Sequence, residues 1–193
     1  MTDWDEGALG GLRAAASLGS GAAGAELVRT RPLEPVLQYA GDVLVAAVGQ
    51  SVPGAQPLAE KCVQALNARG EAGDRELADE LAQALGGADD GFARVPVDLG
   101  ELAGALHGRL GDGPFVIDLA RGDVLPLSEA PDEASGELGP DDDRERWLTL
   151  VPEAAGPAAD EPPDDPFVRE ERERGKARLW LAAYGLRPSP RGL

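Results

Sequence analysis

The chain has 193 residues and a formal net charge of −17, room for one domain or two small ones. Charge of that sign and size disfavours non-specific binding to nucleic acid or to an anionic membrane surface. Aromatic residues make up only 4%, so Leu, Val and Ala must build the core, and a single cysteine, Cys62, excludes an intramolecular disulfide. The charge is also uneven: residues 129–165 hold 13 acidic and 2 basic side chains, whereas residues 166–193 hold 3 acidic and 7 basic.

Residues 1–20 have neither a basic leading region nor a continuous apolar run, which argues against a signal peptide. The most apolar run, Val43 to Val48, is too short to span a bilayer. With the lone cysteine, these readings point to the cytoplasm. Heavy use of Ala, Gly, Arg and Asp with little Lys is the signature of a GC-rich bacterial genome.

Helical periodicity dominates the first 86 residues. Trp4, Ala8, Leu12, Ala15 and Ala16 share one face, and Gly19, Gly21 and Gly24 break that run before a short piece from Ala22 to Arg29. Pro32 and Pro35 punctuate the next start. Val36, Leu37, Ala40, Val43, Leu44, Ala47 and Val48 form an amphipathic stripe that ends at Ser51-Val-Pro-Gly54. Leu58, Cys62, Ala65 and Leu66 mark another helix, stopped at Gly70. Asp74 is placed to cap the next, which carries Leu77, Leu81 and Leu85. Short links favour antiparallel neighbours, so residues 1–88 read as a helical bundle.

Gly86 to Gly91 reads as a linker, and the pattern then changes. Val95-Pro-Val97 is a short extended piece, and Asp98 is placed to cap a helix bearing Leu99, Leu102, Ala103, Leu106 and Leu110. Phe115, Ile117 and Leu119 alternate at strand spacing, Val124, Leu125 and Leu127 form the return, and Ala120-Arg121-Gly122 suits the turn, with Gly122 left-handed. Asp118 is placed to accept hydrogen bonds from the turn amides. Residues 129–145 read as an acidic, mobile loop. Arg146 to Val151 reads as a third strand, and residues 152–164 as an irregular loop. Asp165 and Pro166 open a final helix. Its docking face is Ala177, Trp180, Leu181 and Tyr184, and Gly185, Leu186 and Pro188 close it. Trp180 is expected to pack on the hairpin and join helix to sheet. The fold class is therefore α+β: a helical bundle over 1–88, then a unit over 92–188 with a small antiparallel sheet, a hairpin plus one strand, packed with helices.

Several of these segments resemble the bacterial uncharacterised protein family 0158. Val116-Ile-Asp-Leu-Ala-Arg-Gly-Asp-Val124 is similar to its LD-x-x-x-G-x-V hairpin, and Arg146 to Pro152 to its following R-aromatic-x-x-IP strand. Arg169 to Pro188 resembles its closing helix, and Val97 to Ala103 its lead-in helix. The resemblance covers roughly residues 95–188. The family carries a longer, aromatic-containing stretch before the last helix, where this chain has the short Pro- and acid-rich Glu153 to Asp165. The resemblance implies an architecture and neither a reaction nor a catalytic residue.

The inventory of chemistry is thin. His107 stands beside an apolar helix face with no partner motif, and reads as a boundary histidine. Cys62 lies on an apolar stripe and reads as a core thiol. Asp141-Asp-Asp143 lacks the alternating ligands and glycine of a calcium loop. Gly19-Ser-Gly21 and Gly24 follow no strand and lack the Lys-Ser/Thr pair of a phosphate loop. Ser17, Ser20, Ser51, Ser128, Ser135 and Ser189 lie in no nucleophile elbow. Arg169, Arg172, Arg174, Lys176 and Arg178 are interleaved with Glu170, Glu171 and Glu173, and read as a solvated, self-paired helix face in which Glu170 meets Arg174. A contact between that face and residues 129–145 is a further expectation from their opposite charges.

No catalytic, cofactor-binding or metal residue is assigned, and no cofactor. The sequence points to a non-enzymatic, cytoplasmic protein-interaction or adaptor module with an unidentified protein partner, no direct nucleic-acid binding and no membrane span. An acidic nucleic-acid mimic or inhibitor of a basic partner is the first alternative. A small-ligand protein or enzyme with a site between the two parts is the second.

Overall fold

A computed structural model describes residues 3–88, 91–111, 113–131, 146–150 and 165–189. The N-terminal part is helical. Asp5 caps α1 (Glu6–Ser17), accepting from the Ala8 N–H at 2.8 Å, and Ala8, Leu12 and Ala15 are its buried stripe. Of the glycines read as breakers, only Gly19 breaks the chain, at φ 61°. Gly21 and Gly24 lie within α2 (Gly21–Arg29). There the missing side chains allow close approach: a Cβ on Gly24 would stand 2.3 Å from Val43 Cβ, inside any tolerable contact.

A single 3-10 turn, Glu34–Val36, leads into α3 (Leu37–Gly49), the central helix. Then come α4 (Ala55–Arg69), closed by left-handed Gly70, and α5 (Asp74–Ala84). Leu12, Leu37, Leu44, Leu66, Leu77 and Leu81 are fully buried in one cluster. Each stabilises the fold by roughly 1.5–3 kcal/mol relative to exposure.

The C-terminal part is the expected α+β arrangement. β2 (Phe115–Asp118) is the middle strand of an antiparallel sheet, between β3 (Val124–Pro126) and β4 (Trp147–Leu150). Phe115 faces Pro126 on one side and Leu150 on the other, and all four residues of β2 are buried. Asp118 accepts from the Ala120 and Arg121 N–H groups as its position foretold, and also from Arg146 at 2.6 Å. Gly122 takes φ 74° and fits against the Pro96 carbonyl, which a Cβ would approach to 1.8 Å.

A second sheet was not foreseen. β1 (Ala93–Val95) pairs in parallel with β5 (Leu186–Pro188), so the chain after the last helix returns beside the start of this part. Pro188, read as a stop, is tolerated as the last residue of a two-stranded edge. Asp98 caps α6 (Leu99–Leu106), accepting from Gly100 and Glu101. Val97, Leu102, Phe115, Ile117, Leu150 and Leu181 lie in a second hydrophobic cluster.

The two clusters meet at α7 (Pro166–Ala183), which Asp165 caps. α7 contributes Phe167 to the first and Ala177 and Leu181 to the second. Trp180 is only partly buried against the second cluster, with its ring 4.7 Å from that of the exposed Tyr184. Leu181, with no exposed surface, is the anchor instead. The acidic segments 132–145 and 151–164, with the expectations placed on them, lie outside the described residues.

Candidate functional site

Among the described residues, a dense collection of buried ionisable groups lies where α7 crosses α3 and α5. α7 reaches its neighbours through backbone contact: Gly175 stands so close to the α4–α5 turn that a Cβ there would meet the Ala72 carbonyl oxygen at 2.2 Å. That approach drives three charged side chains of α7 into the interior. Glu171, Arg174 and Arg178 are each 5% exposed or less.

Arg178 is the hub. It bonds Asp42 on α3, Glu80 on α5 at 2.6 Å, and the side-chain oxygen of Gln38 at 3.2 Å. Arg174 meets the same Asp42 at 2.6 Å and lies over the Tyr39 ring, 4.5 Å from its centre. Arg94 from β1 approaches Glu80 at 2.5 Å. Next to this group stands a second one. Asp74 accepts from Arg69 at 2.9 and 2.6 Å, from the Gln38 amide at 2.8 Å and from the Glu71 N–H at 2.9 Å. Glu171 accepts from the backbone N–H groups of Gln38 and Tyr39. Buried polar groups survive only when so partnered.

Burial raises the Glu80 carboxyl above its ordinary value while Arg178 pulls it back. Burial opposes the Arg174 charge, yet the anions around it, Asp42 first, hold its pKa above the usual arginine value.

Two sequence expectations are thereby corrected. The basic face of the last helix is not wholly solvated or self-paired: Arg169 and Lys176 are exposed, but Arg174 and Arg178 are internal. Glu170 pairs with Arg13 on α1 at 2.8 Å, not with Arg174. Asp74 does not cap α5; left-handed Gly73 occupies that position and the Asp74 carboxylate turns back to Arg69. For α7, local spacing assigns the charged groups to solvent, and only its docking supplies countercharges from distant sequence; the Asp74 carboxylate instead meets Arg69, 5 residues upstream. A signal existed: Phe167, Glu171, Arg174 and Arg178 fall on one helical face, as do Gln38 and Asp42 amid the apolar residues of α3.

The residues singled out for chemistry are scattered. His107 is the C-cap of α6, and Ser17 donates to Asp98 at 2.6 Å at the opposite end of that helix. Eight helical residues separate the two, on the order of 12 Å, so Ser17, Asp98 and His107 form no relay. Cys62 is buried in the first cluster, where burial pushes its thiol up to about 12. Ser20 is the N-cap residue of α2 but gives it no side-chain hydrogen bond, and Ser51 adopts φ 56°. Ser128 lies in a 3-10 turn, and the Ser189 N–H donates to Val95. Ser135 and Asp141 to Asp143 are outside the described residues.

The cleft above the seam, lined by Ser17, Asp42, Glu80, Asp98 and Arg174, has about 40 Å³ of room. That suits a few waters. Among the described residues no group of three or more His, Cys, Asp or Glu side chains is placed to hold a metal ion, and no helix is long and apolar enough to cross a membrane.

Fold and seam together define an α+β protein whose last helix is locked to its N-terminal helices by buried ion pairs. No family model matches this chain, and neither a curated protein nor a solved structure does.

Proposed function

We propose that this chain is a non-enzymatic protein-interaction module, an adaptor of the bacterial cytoplasm. The observation that carries the reading is an open groove between α5 and the C-terminal half of α7. Ala82, Ala88, Phe92, Leu179 and Ala183 line it, and Leu179 is 44% exposed. The charges along it are of both signs, Arg75 and Arg187 with Glu76 and Asp79, which suits a partner held by apolar contact better than a polyion. The buried ionisable groups of the seam are committed to one another, which supports a structural use of them.

The test is affinity capture of the tagged full chain from its own cell extract at low and high salt, beside a Leu179→Glu variant whose melting temperature matches wild type. A stoichiometric partner that survives high salt and is lost with Leu179→Glu is the expected result. The same proteins retained by both forms at high salt, or recovery of the chain alone, overturns the reading. A partner released by salt and indifferent to position 179 points instead to an acidic surface acting on a basic partner.

A relationship to the uncharacterised family 0158 belongs to the same proposal. Its support is the order of hairpin, strand and closing helix over Phe115–Pro126, Trp147–Leu150 and Pro166–Ala183.

A further inference from the structure

The outward face of α7 is divided by chemistry. Arg169, Arg172, Lys176, Leu179 and Ala183 recur at helical spacing and form one stripe along the helix. Arg172 is half-buried and the other members are exposed. The N-terminal part of the stripe is cationic and the C-terminal part apolar. The carboxylates of the same helix are committed elsewhere. Glu170 pairs with Arg13 of α1 at 2.8 Å, and Glu173 lies 2.7 Å from Arg109. Glu171 is buried and caps α3, which has no side-chain cap of its own, by accepting from the Gln38 and Tyr39 N–H groups. The stripe is therefore positive at one end, on a chain whose net charge is −17.

The surface beside the stripe follows the same division. At the cationic end, Arg172 and Lys176 share a cleft with Arg69, Glu71 and Ala72. Glu71 stands 3.9 Å from Arg69, which also bonds Asp74, so these acids are answered from within the chain. At the apolar end, Leu179 and Ala183 line the groove with Ala82, Ala88 and Phe92. There Arg75 and Arg187 are balanced by Glu76 and Asp79. The excess of positive charge thus sits at one end only. By helix rise, Lys176 lies about 4.5 Å along the axis from Leu179, Arg172 about 10 Å and Arg169 about 15 Å.

With the α5–α7 groove read as a docking surface, as above, we propose that its occupant is an amphipathic helix of another protein whose apolar face is continued at one end by carboxylates. Apolar anchors settle on Leu179, Ala183 and Phe92, and Asp or Glu residues one to three turns further along meet Lys176, Arg172 and Arg169. Burial of the apolar face supplies most of the affinity. The charges fix the direction of the helix, because a reversed helix carries its acids away from the cations and towards Glu76 and Asp79. A second copy of this chain fits poorly through the same stripe. Laid parallel, two stripes set cation on cation; laid antiparallel, they bury the cations of each against the apolar end of the other.

Selection from a displayed library of helical peptides about four turns long, against the immobilised full chain at about 0.1 M salt, tests this, with Leu179→Glu as the control for the groove. Peptides that bind wild type and not Leu179→Glu should carry apolar residues at i, i+3 and i+4 spacing with acidic residues on one flank. Replacing those acidic residues by their amides should weaken binding to wild type about tenfold. Replacing Arg169 and Lys176 together by Glu should turn the preferred flank from acidic to basic. The amide comparison uses wild-type protein alone, so it decides even where the double variant does not fold. Groove-dependent peptides without an acidic flank, or amide peptides bound as tightly as their parents, overturn this occupant and leave the interaction reading standing. Failure to select any groove-dependent peptide also overturns the helical occupant, while capture of a partner from cell extract decides the interaction reading separately.

Discussion

Replacing Arg178 by methionine tests how the seam holds the molecule together. The change keeps an unbranched chain in the same space and removes only the guanidinium. Three partners are affected at once. Asp42 retains Arg174, Glu80 retains the half-exposed Arg94, and the Gln38 side-chain oxygen loses the Arg178 Nε–H donor. Arg178 and Glu80 are 2% and 4% exposed at their side chains, so solvent screens neither charge. Breaking one member of such a buried set costs about 3–5 kcal/mol, because the carboxylates left behind stay desolvated. Against a total of about 5–15 kcal/mol for a protein of this kind, that is a large fraction. The companion double variant, Arg178→Met with Glu80→Met, removes the stranded charge as well and should recover most of the loss. Urea unfolding followed by tryptophan fluorescence measures both. A single variant within about 1 kcal/mol of wild type, or a double variant as unstable as two independent losses would make it, refutes the account of the seam as a mutually dependent network.

Two further outcomes follow from the packing. Gly175→Ala would favour an isolated helix by about 1 kcal/mol, yet here its Cβ meets the Ala72 carbonyl oxygen at 2.2 Å; the expected net effect is destabilisation by about 1–3 kcal/mol in thermal melts, and a raised melting temperature would contradict the backbone contact. Cys62, buried and with its thiol pushed up to about 12, should resist an aromatic disulfide reagent in the folded protein and react on unfolding; labelling of native protein at the rate of an unfolded control would refute its burial.

The motifs that were legible early are those in which cause and effect lie within a few residues. Asp98 and Asp165 each bond an N–H of the first turn after them. Gly122 and Gly185 adopt the left-handed conformation that a turn and a helix end require. The alternation in Phe115 to Asp118 corresponds to a strand. The amphipathic stripe of α3 corresponds to the most buried helix of the N-terminal part.

What the local sequence left open are contacts between residues far apart in the chain. Sequence alone determined that this chain would build helices first and a small antiparallel sheet later, because capping, periodicity and turn geometry are satisfied by neighbours. Tertiary structure decided that Glu171, Arg174 and Arg178 are internal, that Glu171 rather than a local side chain caps α3, and that β5 lies in parallel beside β1. A charge is cheap at a surface and costly inside. Its place therefore depends on whether a partner waits there, and for this helix the partners Asp42 and Glu80 stand 98 to 136 residues upstream.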